Sequence, residues 1–129
     1  LTLIQLYDIA EFNNIDVDYF PMKEAISISA PGLIAMDVDK IETSIHEKVC
    51  LAHELGHCQT SSFYNVYSNC DIRTRHEYRA NKWAIKNLIP KTELKKAFKK
   101  GIREVWELAE YFEVTENFMR KTVEYYKYN

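Results

Sequence analysis

Apolar residues at Leu3, Ile4, Leu6, Ile9, Ala10 and Phe12 recur with a helical period and predict a short amphipathic helix. Two β-prone runs follow, Ala25–Ala30 and Leu33–Val38, separated by Ala30-Pro31-Gly32-Leu33. Proline presets φ at the second position of a turn and glycine tolerates positive φ at the third. The segment therefore predicts a type II turn joining an antiparallel pair. Val17–Phe20 is a candidate third strand. From residue 44 onward the pattern is helical. Ser44 with Glu47 forms a capping-box signature ahead of Ile45, Val49, Ala52 and Leu55, and the helix should run to about His57–Gln59. Thr60–Ser68 reads as a loop, and a second helix spans Arg73–Leu88 before Pro90 stops it. Helices over Thr92–Lys100, Ile102–Phe112 and Glu116–Tyr126 complete the chain, with Gly101 ending the first. The expected fold is α+β, a small antiparallel sheet packed on a helical core.

A chain of 129 residues with 47% hydrophobic content suits one domain, 1–129. Within it, 1–42 holds the first helix and the sheet, 43–90 the two long helices, and 91–129 the C-terminal helices. The net charge of −2 excludes a global field for nucleic acid or membrane, but the charge is segregated. Residues 1–47 carry nine acids against two bases, and residues 82–103 carry eight bases against one acid. The basic stretch reads as lysines on solvated helix faces, with a docking surface for an acidic partner as the other reading. No apolar run is long enough to span a bilayer and no signal-peptide pattern opens the chain. It opens on Leu1 rather than Met, which is compatible with a segment upstream. Three cysteines, Cys50, Cys58 and Cys70, form no disulfide framework, so the expected location is the reducing cytoplasm.

The chemistry concentrates in His53-Glu54-Leu55-Gly56-His57. Four residues are about 400° of helical rotation, so both imidazoles leave one face a turn apart and can share a tetrahedral zinc ion. Glu54 projects about 100° around the helix, within reach of a zinc-bound water without being a ligand. Zinc acidifies such a water and polarises a carbonyl, while Glu54 takes the proton. Gly56 keeps bulk away from the second histidine. A third protein ligand is needed. Thr60 and Phe63 stand where the metzincin pattern needs glycine and histidine, which rejects that option. Glu77 is the candidate, sharing a stripe with Ala80, Ala84 and Leu88, because an inward carboxylate is costly unless paired or metal-bound. Thr74-Arg75-His76-Glu77 also fits a capping box, which would make Glu77 a backbone cap. Asn81, one turn on, is placed to accept the outer ring N–H of His53 or His57. His46 and Cys50 fall on the histidine face seven residues upstream and read as packing or hydrogen-bonded support. His76 reads as exposed. It, Tyr64 and Tyr67 remain open candidates for stabilising an oxyanion.

These residues resemble the ImmA/IrrE metallo-endopeptidases. Leu51-Ala52-His53-Glu54-Leu55-Gly56-His57 matches the family's A-H-E-[LI]-G-H core, and Glu77-Tyr78-Arg79-Ala80-Asn81-Lys82-Trp83-Ala84 looks like its E-x-x-A-[ND]-x-[FW]-A motif. Leu88-Ile89-Pro90 stands in place of its usual L-[LM]-P, and the resemblance runs from about Ala25 to Tyr126. It implies a minimal gluzincin-like fold with Glu77 as third ligand and Glu54 as base. It also implies a protein substrate, a helix-turn-helix repressor of a phage or mobile element. A role in stress responses, known for larger members with a C-terminal sensor domain, has less support here. A rival class is a non-catalytic regulator that sequesters a repressor or binds DNA. Glu107–Thr115 followed by Phe118, Met119 and Val123 reads like a helix-turn-helix core. Six acids against three bases over 104–129 oppose phosphate contact, and Glu113 stands where DNA-binding versions often have glycine.

Overall fold

A computed structural model describes residues 1–129 as six helices and three short strands. Helix α1 (Leu3–Phe12) starts from a Thr2–Gln5 capping box and buries Leu6 and Ala10. Strands β1 (Asp16–Tyr19), β2 (Ser27–Ala30) and β3 (Leu33–Met36) form one sheet in the order β1-β3-β2. The β2–β3 hairpin is antiparallel, and Gly32 adopts φ +76° in its turn, where an L side chain would be strained. β1 pairs parallel with β3, Val17 opposite Ile34, so the sheet is mixed rather than wholly antiparallel. The seven residues from Phe20 to Ile26 carry the chain from one edge of the sheet to the other, which lets β1 run in the direction of β3. Asp37 ties this crossing down. Its carboxylate accepts the Met22 and Asp39 amides at 3.0 and 3.1 Å and pairs with Lys40 at 3.4 Å.

Helix α2 (Ser44–Thr60) is capped by Thr43, whose hydroxyl accepts the His46 amide at 3.0 Å; the cap lies one residue before the expected Ser44. Helix α3 (Cys70–Leu88) begins from Asn69, which accepts the Ile72 amide at 2.9 Å. That start is a turn earlier than Thr74, so the capping-box reading of Glu77 fails and Glu77 is a helix-interior residue. Helices α4 (Lys91–Lys99), α5 (Val105–Phe112) and α6 (Glu116–Tyr128) follow. The core joins Leu6, Ile34, Leu51, Leu55, Leu108 and Met119, all at most 1% exposed, from sheet and helices alike.

Two contacts place the long helices. An added Cβ on Gly56 would lie 2.4 Å from the Ala80 carbonyl oxygen, so α2 and α3 touch backbone to backbone at that point. Gly56 is therefore needed for helix contact rather than for space beside a metal. Lys48, only 7% exposed, donates to the Phe112 and Glu113 carbonyls at 3.1 Å each. It satisfies the end of α5, where Glu113 takes φ 54°.

Candidate metal centre

The close approach at Gly56 sets His57, the next residue of α2, and His53, about a turn before it, against α3. His53, His57 and Glu77 meet there, with donor atoms all within 4.8 Å of one another. His53 Nε2 lies 3.0 Å from Glu77 Oε2, His57 Nε2 lies 3.1 Å from Glu77 Oε1, and the two Nε2 atoms are 3.2 Å apart. The outer ring nitrogens are occupied. His53 Nδ1 lies 2.9 Å from Asn81 Oδ1, and His57 Nδ1 meets the Ser62 carbonyl. Both partners are acceptors, so each Nδ1 carries the hydrogen and each neutral imidazole presents its Nε2 lone pair inward. Two such lone pairs beside a carboxylate repel one another and suit a cation at their meeting point. This N,N,O donor set, with its outer nitrogens braced, fits a zinc ion.

Charge in the cluster is shifted accordingly. Burial disfavours the charged form of His57, but Glu77 and the Ser62 carbonyl outweigh it and raise its pKa above the usual histidine value. Burial likewise opposes the charged form of Glu77, yet in the metal-free cluster His53 and His57, donating through Nε2–H when their rings are protonated, and then the Tyr64 hydroxyl hold it below the usual carboxylate range. Tyr64 donates to Glu77 Oε1 at 2.7 Å, and burial together with that bond pushes its pKa up to about 12.

Glu54, 6% exposed, stands beside the cluster in a cleft of about 230 Å³. Ser27 donates to its Oε2 and Ser29 to its Oε1, both at 2.7 Å. These serines were not among the sequence candidates. They come from β2, the strand edge that forms the opposite wall of the cleft with Ile28. Their one signal in the sequence was serine at alternate positions of a β-prone run. Ser62, whose carbonyl orients His57, left none, because the contact uses backbone.

Of the residues left open, Tyr64 lines the cleft, whereas Tyr67 is 92% exposed. His76 is half-buried rather than exposed, with Nδ1 enclosed and unpaired, and it does not line the cleft. His46 and Cys50 line a neighbouring groove that opens on His53 and are not part of the three-residue cluster.

Set beside known families, residues 38–124 match the model of a peptidase family described as the IrrE N-terminal-like domain. The chain belongs to that family. No curated protein and no solved structure matches it significantly. The IrrE-like match takes in α2 to α5 and most of α6, and so includes His53, Glu54, His57 and Glu77. Sheet and serines lie before it. Membership makes this a metallopeptidase fold, and the histidine–carboxylate cluster is a group able to hold its metal. The α5–α6 pair is part of this IrrE-like domain, its turn tied to α2 by Lys48. No helix is long and apolar enough to cross a membrane.

Proposed function

We propose that this chain is a zinc-dependent endopeptidase. His53, His57 and Glu77 hold the metal, and Glu54 is the general base. The observation that carries this reading is the convergence of two braced Nε2 lone pairs and one carboxylate beside a buried glutamate. Zinc held there supplies a Lewis acid that polarises a peptide carbonyl and acidifies a water. Glu54 accepts the water's proton on a carboxylate oxygen and returns it to the leaving amine. Ser27 and Ser29 orient that carboxylate through their hydroxyls. Asn81 and the Ser62 carbonyl fix the histidine tautomers, and Tyr64, protonated at neutral pH, braces Glu77. The substrate is a protein, and the resemblance to the ImmA/IrrE peptidases points to a helix-turn-helix repressor of a phage or mobile element, met in the cytoplasm.

Elemental analysis of the parent chain should give about one zinc per chain, the stoichiometry of a three-ligand site. Glu77→Ala should bind it much more weakly. Glu54→Gln should retain the zinc while cleavage of a repressor encoded beside it falls by about a hundredfold or more. Undiminished cleavage by zinc-loaded Glu54→Gln would reject the mechanism. Full biological effect of that variant without cleavage would favour sequestration of the partner.

A further inference from the structure

The cleft does not end at His53. Around Asn81 runs a groove made of two cavities, about 600 Å³ between α2, α3 and α6 and about 560 Å³ between α3 and α6, which share Asn81, Arg120 and Lys121. The inner one opens on His53 and Glu77. The outer one has the buried Ile85 at its base, and Tyr78 from α3 meets Tyr125 from α6 across it with ring centroids 6.3 Å apart. Tyr78 and Tyr128 are 51% and 73% exposed, a large aromatic surface left facing solvent.

Two cations border this aromatic groove, Lys82 on α3 and Lys121 on α6, and neither forms a salt bridge. Arg120 is already engaged by Glu116 at 3.4 Å. Glu124 is the one carboxylate lining the outer cavity. Since the whole chain is net −2, the excess of cationic over acidic side chains lining the outer cavity is local. Aromatic and aliphatic walls with unpaired ammonium groups suit a polypeptide that carries both apolar and acidic side chains. A polyphosphate backbone is disfavoured, because Glu77, Glu116 and Glu124 also line the groove and a continuous run of phosphates would meet them, whereas a peptide carries its acidic side chains singly.

We propose that this groove is a substrate subsite, resting on the peptidase reading above. It receives an acidic residue about three positions from the scissile bond, with an aromatic or aliphatic residue beyond it. The spacing follows from the helix. Lys82 and Ile85 lie five and eight residues beyond Glu77, or about 8 and 12 Å along α3. An extended peptide covers those distances in about two to four residues.

The test uses full-length Glu54→Gln chain loaded with zinc and three fluorescein-labelled decapeptides. They are identical in a Leu-Tyr pair and differ in two adjacent positions, both Glu, both Gln or both Lys. Fluorescence anisotropy should rank Glu first, at least about tenfold tighter than Lys, with the advantage shrinking as salt rises. Adding Lys82→Glu and Lys121→Glu should reverse the order of the Glu and Lys peptides, a gain that misfolding cannot produce. Adding Lys95→Glu and Lys99→Glu instead, an equal charge change on exposed positions of α4, should leave the order intact.

Absence of binding, equal binding of the three peptides, or equal effects of the two double changes would overturn the proposal. So would displacement of the Glu peptide by a short single-stranded DNA at lower concentration, which would assign the groove to nucleic acid. Zinc analysis on the same preparations keeps the two readings apart. A chain that binds no zinc yet shows the charge reversal fails as a zinc peptidase but retains the groove.

Discussion

Ser27 and Ser29 face α2, while Ile28 between them and Ile26 just before the strand are 48% and 37% exposed. Simple alternation points the isoleucines inward, and the structure does the reverse because the inward side of β2 meets the Glu54 carboxylate. A buried carboxylate needs donors more than β2 needs apolar burial. The metal-facing residues were legible because their chemistry is written in local spacing along two helices. Their partners 25 and 27 residues away were not, since nothing local ties a serine on a strand to a glutamate on a helix. Asp37 is a similar case, a buried aspartate whose role is set by the loop it binds. The Met22 amide first, then the Asp39 amide and Lys40, lower its pKa below the usual carboxylate value despite burial. With the folded value below the unfolded one, its stabilisation is present above the ordinary carboxylate pKa of about 3.9 and is lost as pH falls through the folded value. Asp37→Asn should therefore lower Tm most at neutral pH, with the gap from the parent closing in acid. Thermal melts across that range check it, and a gap that stays constant with pH would count against the role of the charge.

Helix positions were the most legible part of the fold, because the 3.6-residue period is strong in α4, α5 and α6, while capping residues and Pro90 mark the ends of the less amphipathic α2 and α3. Caps were less so. Thr43 rather than Ser44 starts α2, since adjacent Thr and Ser both satisfy the capping rule and packing decides between them. Asn69 starts α3 a turn ahead of the expected residue, extending the helix through a segment with few apolar positions. The direction of β1 was not legible, because pairing by a short edge strand is fixed by the path of the crossing residues and not by its own pattern. At Gly56 the residue was noticed and its reason lay elsewhere, in the Ala80 backbone. Since that contact sets the distance between α2 and α3, Gly56→Ala should do two things together. It should destabilise the fold by about 1–3 kcal/mol through overpacking, even though alanine is the better helix former. It should also weaken zinc binding by moving His53 and His57 away from Glu77. Denaturant melts and competition with a chromophoric chelator measure the two effects. A variant with unchanged stability and zinc affinity would show that the helices can part without cost.

Across the whole molecule, polar contacts of long sequence range join elements that the apolar core alone would leave free to slide. Tyr7 on α1 donates to Glu47 on α2 and meets the Tyr19 hydroxyl on β1, and Lys48 binds the end of α5. The histidine–carboxylate cluster belongs to the same set, with two members on α2 and one on α3, separated by the loop that carries Ser62 and Tyr64. A zinc ion on these three residues is therefore a cross-link between the two longest helices as well as a catalyst. Ligands of this kind are brought together only in the folded chain, so zinc should bind the native state in preference to the unfolded one. At free zinc a thousandfold above Kd, that preference is worth about 4 kcal/mol. For a chain of this size it corresponds to a rise in Tm on the order of 10 °C. Melting the parent with saturating zinc and again after chelation should show that difference. Glu77→Ala should show only a small part of it, while Glu54→Gln should keep it in full, because Glu54 is not a ligand. Equal zinc shifts in the parent and Glu77→Ala would place the ion somewhere other than between α2 and α3.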